Sequence, residues 1–134
     1  MSAEDRLTYI DSSAIVKLAV AEPESAVLRR YVSRHRQLVS SALARTEVLR
    51  ALMPSGREAV ARGELVLRRI RLLRVNDRVL SEAGWMMPLE LRSLDAIHLA
   101  SARELGASVK SIVTYDDRMA DAARAGGWRV SSPR

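Results

Sequence analysis

The chain has 134 residues, 48% of them hydrophobic and 28% charged, with a formal net charge of +6. That length suits one domain spanning 1–134 with a proper core, and the composition excludes a disordered chain. It has no cysteine, which excludes disulfides, thiolate metal sites and a cysteine nucleophile.

No apolar run approaches the roughly 18 residues a membrane span needs. The start, "MSAEDRLTYID", carries acids where a signal peptide carries a basic and then an apolar stretch. The expectation is a cytoplasmic protein with no membrane association. Of the 22 basic residues, 20 are arginine. Guanidinium forks suit a polyanionic partner such as RNA or DNA, but a GC-rich genome enriches arginine equally well. Phenylalanine is absent, and the five aromatics (Tyr9, Tyr31, Trp85, Tyr115, Trp128) stand singly. A base-stacking platform is thus not expected; any bound nucleic acid would be held by its backbone.

"LTYID" (7–11) reads as a short buried strand and "SSAIVKLAVAE" (12–22) as a helix. Residues 23–36 form a strong helix pattern with Pro23 and Glu24 in its first turn and Arg34 and Arg36 at its end. "QLVSS" (37–41) is a weak strand, and 42–53 is a helix stopped by Pro54. A helix over 56–70 carries Gly63 inside it, and 71–75 reads as an edge strand. Asn76 caps a helix over 77–86. The clearest helix runs over 93–107, with Ser93 as N-cap and Gly106 near its stop. A strand at 111–115, a helix at 116–126 and a last strand at 128–130 complete the chain. Strands alternating with helices predict an α/β sandwich around a mostly parallel sheet. Ligands gather beyond the carboxyl ends of such strands, which is where Asp11 and Asp116 fall.

Two more acids sit in apolar company. Ala44, Glu47, Val48 and Ala51 follow the spacing of a buried helical stripe, and Asp95 precedes Leu99 and Ala102 on one face. Each acid has an ordinary explanation. Asp11 and Asp116 could be N-caps, Asp95 could favour the helix dipole, and Glu47 could pair with Arg50. Jointly they differ from that picture, because none belongs to a charge run and an unpartnered buried carboxylate costs several kcal/mol. Crowded carboxylates need a hard dication, and oxygen-only ligands suit Mg²⁺ or Mn²⁺ rather than zinc. Such an ion can grip a phosphodiester, acidify a water and stabilise the leaving oxygen.

Four stretches, "YIDSSAIVKL", "ALARTEVLRAL", "LRSLDAIHLASA" and "IVTYDDRMADAA", occur in the order found in PIN domains. Together they make the chain, from about residue 7 to 130, resemble the ribonuclease toxins of the VapC type. The resemblance implies a PIN-like three-layer sandwich with its central sheet flanked by helices. It implies a catalytic quartet of Asp11, Glu47, Asp95 and Asp116, with Asp11, Asp95 and Asp116 as metal ligands and Mg²⁺ as cofactor, replaceable by Mn²⁺. It further implies cleavage of structured RNA, a homodimer, and silencing by a cognate antitoxin whose tail enters the groove and offers an arginine to the acids. Asp95 is one candidate for the general base.

Ser12, Ser13 and Thr114 are placed to orient water at the metal, and Asp117 to assist from the outer shell or to serve as a first-turn helix acid. Lys17, Arg29 and Arg30 are candidate RNA contacts, although a solvated face is the simpler reading of the arginines. His98 lies three residues after Asp95, a spacing that can share a metal, but a packed or hydrogen-bonded histidine is expected. Trp85, Met86 and Met87 suit a dimer or antitoxin contact or, equally, core packing under Pro88. A receiver-type phospho-acceptor is excluded because Asp11 lacks an acidic neighbour, and a haloacid-type phosphatase because Ser13 stands where a second aspartate is needed. A catalytically silent PIN-like RNA-binding or scaffold module should have lost acids that this chain keeps.

Overall fold

A computed structural model of the protein describes residues 6–35 and 37–134. Residues 1–5, read above for a leader, and Arg36, read as part of a basic helix end, lie outside the described residues. The elements in chain order are β1 (Leu7–Ile10), α1 (Ser12–Ala19), α2 (Ser25–Arg34), β2 (Leu38–Ser41), α3 (Ala44–Leu52), α4 (Arg57–Arg68), β3 (Arg71–Leu73), α5 (Asp77–Gly84), α6 (Ser93–Glu104), β4 (Val109–Val113), α7 (Asp117–Ala125) and β5 (Val130–Ser131).

The five strands form one sheet in the order β3-β2-β1-β4-β5, and every neighbouring pair is parallel. Alternation along β1 sends Ile10 to one face and Tyr9 to the other. Ile10 packs with Ile15, Leu28, Val48, Leu52 and Leu67 from α1 to α4. Tyr9 packs with Leu99, Ile112 and Met119 on the α6 and α7 side. Helices thus cover both faces, the three layers expected for a buried parallel sheet. Gly63 inside α4 has a packing cause: a Cβ there would collide with Leu52, so its absence lets α4 lie close against α3.

The chain leaves β1 for β2 and β3 on one side, then crosses to β4 on the other. This switch opens a crevice at the carboxyl ends of β1 and β4, the usual ligand position in such sheets. Among the described residues no helix is long and apolar enough to cross a membrane.

Three local expectations are corrected. Helix α6 begins at Ser93 itself, with Arg92 in the cap position and no side-chain cap. The Arg92 carbonyl already accepts from the Ala96 amide, and a serine within the helical turn cannot swing back to serve as cap. Pro23 lies in the turn before α2 rather than in its first turn; the Ser25 hydroxyl, accepting from the Glu22 amide at 2.9 Å and donating to the Val20 carbonyl at 2.8 Å, closes that turn. Ala51 is exposed, and Leu52 carries the buried stripe of α3 on from Ala44 and Val48.

Candidate active site

Asp11 follows the last residue of the central strand and is only 4% exposed. It caps α1: Oδ1 accepts from the Ala14 amide at 3.0 Å and from the Ser13 hydroxyl at 2.7 Å. Oδ2 accepts from Thr114 at 2.5 Å. The cap and the site are the same carboxylate. Burial pushes its carboxyl above the ordinary range, opposed by the hydrogen bonds from Thr114 and Ser13. A carboxylate has about four lone-pair sites, so these three donors leave Asp11 room for one more partner.

Thr114 also joins the two strand ends, since its Oγ1 accepts from the Asp116 amide at 3.0 Å. Asp116 in turn caps α7 through the Met119 amide at 3.1 Å, while the Ser13 hydroxyl accepts from the Tyr115 amide at 3.1 Å. The hydroxyls of Ser13 and Thr114 therefore hold carboxylates and backbone in place; both protons go to Asp11.

Glu47, one turn into α3, is held by tertiary contacts rather than by Arg50. Its Oε1 accepts from the Ser12 hydroxyl at 2.7 Å and lies 2.7 Å from His98 Nε2. Burial would raise its carboxyl, but the hydrogen bonds from His98 and Ser12 prevail and hold it below the ordinary range. His98 is 2% exposed and meets the Tyr9 hydroxyl at 2.7 Å through Nδ1. It is the buried, hydrogen-bonded histidine that was expected.

Asp95 stands in the first turn of α6. Burial raises its carboxyl, and so do the neighbouring charges of Asp116, Asp11 and Glu47. Asp95 thus feels the other three acids across a common cleft of about 320 Å³, lined by Asp11, Ser12, Ser13, Glu47, Asp95 and Asp116 together with Arg92, Ser93, Leu94 and His98. Sequence reasoning passed over Arg92 and Leu94, although "LRSLD" sets a cation three residues before Asp95.

Other candidates lie apart from the cleft lining. Asp117 is an exposed first-turn acid of α7. Lys17 is taken up by Glu22 at 2.5 Å and Glu24 at 2.9 Å, and lies 4.9 Å above the Tyr115 ring. Arg29 and Arg30 are exposed on α2. Trp85 is 88% exposed and Met87 66%, so of that cluster only Met86 packs against the core.

The donor chemistry of the cleft suits a hard dication. Among the described residues no three or more His, Cys, Asp or Glu side chains stand grouped to hold a metal ion; the four acids line an open cleft. A hard dication held by one or two carboxylates while keeping several waters would suit such a cleft. The mutual repulsion recorded at Asp95 is what such a charge would relieve.

A family profile described as the PIN domain matches residues 8–125. The chain is 56% identical over 125 residues to a protein named Ribonuclease VapC46 of Mycobacterium tuberculosis, covering 93% of this chain and 96% of that protein. It is 33% identical over 132 residues to Ribonuclease VapC47 of the same species, covering 95% and 97%. Among solved structures, the sarcin-ricin loop cleaving toxin VapC20 of M. tuberculosis superposes with a TM-score of 0.76 at 17% identity, covering 94% of this chain and 99% of that one. A chain of a toxin-antitoxin complex from Klebsiella pneumoniae gives a TM-score of 0.72 at 17% identity, covering 95% and 98%.

Proposed function

Since the chain belongs to the PIN domain family, we infer that it is an endoribonuclease, the toxin of a toxin-antitoxin pair, using a divalent cation, Mg²⁺ or in its place Mn²⁺, at the cleft of Asp11, Glu47, Asp95 and Asp116. The observation that carries this reading is the convergence of four carboxylates from four separate elements on one cleft at the β1–β4 switch. A bound cation supplies the positive charge that grips a phosphate and eases removal of a proton from water.

The chain's own groups do the rest. Asp11 is rigidly fixed by three donors, and Glu47 is kept ionised with Oε1 engaged. Asp95, whose carboxyl burial and the neighbouring acids raise above the ordinary range and which accepts no hydrogen bond from any described residue, is free to take the proton from the attacking water. Arg92, exposed at the rim of the cleft, meets a backbone phosphate.

The molecule acts in the cytoplasm, pairs with a cognate antitoxin and forms a homodimer. Exposed Trp85, Met87 and Leu89 provide apolar area for one of these contacts.

The test is cleavage of cellular RNA by wild type, Asp11→Asn and Asp95→Asn, with Mg²⁺, with Mn²⁺ and with EDTA. Wild type cuts only with metal, and each variant loses at least about 10²-fold in rate. Undiminished cutting by either variant, or by wild type in EDTA, overturns the assignment.

A further inference from the structure

We propose that His98 is a positioning residue of this site: anchored from behind by Tyr9, it turns Nε2–H onto Glu47 Oε1 and so decides where the free oxygen of Glu47 stands in the cleft. The proposal rests on the nuclease reading and adds to it a chain of side chains running from the core to the acid wall.

The chain begins at Tyr9, which is fully buried on β1. Its ring meets the imidazole edge-on, with centroids 5.8 Å apart and planes at 84°, which fixes the ring's plane as well as its position. The Tyr9 hydroxyl lies 2.7 Å from Nδ1, and Glu47 Oε1 lies 2.7 Å from Nε2. An ionised carboxylate only accepts, so the hydrogen of this bond belongs to Nε2. With Nε2 as donor, a ring that carries one hydrogen has Nδ1 as acceptor, and the Tyr9 hydroxyl is then its donor. Burial raises the tyrosine's pKa, which keeps that proton in place. The second group on one ring nitrogen sets the tautomer at the other, as in histidines that hold metal-binding or catalytic groups.

Both donors to Glu47 fall on the same oxygen. Ser12 and His98 reach Oε1, and among the described residues no hydrogen bond reaches Oε2. The carboxylate is thereby held like a hinged plate with one corner fixed twice and the other left to work. The Ser12 hydroxyl also comes within 3.5 Å of Nε2, so the three groups form a closed triangle. Ser12 is the first residue of α1 and Glu47 is on α3, so His98 on α6 ties helices from opposite faces of the sheet. Burial alone asks for a partner at each nitrogen; what sets His98 apart is that one partner is a carboxylate lining the cleft.

The experiment measures kcat and KM for RNA cleavage by wild type, His98→Ala, His98→Gln and Tyr9→Phe, each checked for folded fraction. In parallel, the imidazole nitrogen signals of the wild-type protein are read by NMR. His98→Ala is expected to lose about 10²-fold in kcat with KM nearly unchanged, the cost of a misplaced catalytic group. His98→Gln, whose amide nitrogen reaches where Nε2 stood, recovers part of that loss. Tyr9→Phe falls between wild type and His98→Ala. The NMR spectrum shows a hydrogen on Nε2. Full kcat in His98→Ala, equal activity of the Ala and Gln variants, or a ring protonated at Nδ1 alone overturns the proposal while leaving the nuclease reading intact. Failure of wild type to cut any RNA overturns that reading instead, and the tautomer then decides by itself whether His98 holds Glu47.

Discussion

Asp11, at the carboxyl end of β1, receives three hydrogen bonds, whereas Asp95, in the first turn of α6, receives none from any described residue. Both carboxyls are raised above their ordinary range with burial as the leading cause. At Asp11 donors oppose the cost of burial. At Asp95 the charges of Asp116, Asp11 and Glu47 increase it. One side of the cleft is a hydrogen-bonded frame, and the other is a charge held among like charges. The contrast indicates which side would gain more from a cation: Asp95 has the larger unmet demand.

The largest effect should come from breaking the frame. Thr114→Val removes the donor to Asp11 Oδ2 and the acceptor of the Asp116 amide together, in a fully buried place. A loss of about 2–3 kcal/mol is expected in denaturant unfolding, with cleavage abolished because both strand-end acids move.

The charged side should respond in the opposite sense. Its raised folded pKa means that the stability linked to Asp95 is fully present below the ordinary value of 3.8 and is lost as pH rises through the folded value. At pH 7 without metal, Asp95→Asn should therefore melt above wild type, and the gap should close as the pH is lowered toward 3.8. Added Mn²⁺ should raise the melting point of wild type more than that of the variant. A variant that melts below wild type at pH 7 would place Asp95 among the frame residues after all.

A smaller change is expected at the rim. Arg92→Ala should raise KM a few-fold, leave kcat close to wild type and weaken the salt dependence of RNA binding by about one phosphate contact. A fall in kcat instead would bring Arg92 into the chemistry.

Much of this frame was legible before any coordinates. Asp11 and Asp116 each end an apolar strand and open a helix, a local pattern that serves capping and site alike; the geometry shows both caps and sets both carboxylates on the cleft. The parallel sheet followed from strands alternating with helices. What escaped was every interaction that depends on a partner distant in the chain. Glu47 looked like a mate for Arg50 one turn on, yet its partners are 35 and 51 residues away. Lys17 looked free for phosphate, but Glu22 and Glu24 fold back onto it through a turn that begins where α1 was expected to continue. The register of α6 moved by one residue because the Arg92 carbonyl, not a serine side chain, starts its hydrogen bonding. Trp85 and Met87 could not be assigned to core or surface from apolarity alone; only the packed fold shows them exposed.

The bond from Thr114 to Asp11 spans 103 residues of chain, which makes the order of synthesis matter. A chain emerging from the ribosome carries Asp11 and Glu47 early, but Thr114 and Asp116 come only after β4 has been made. Until then β1 has no neighbour on that side, Asp11 lacks its third donor, and the last acid is missing. The complete cleft of four acids therefore exists only in a chain extended past β4 to Asp116.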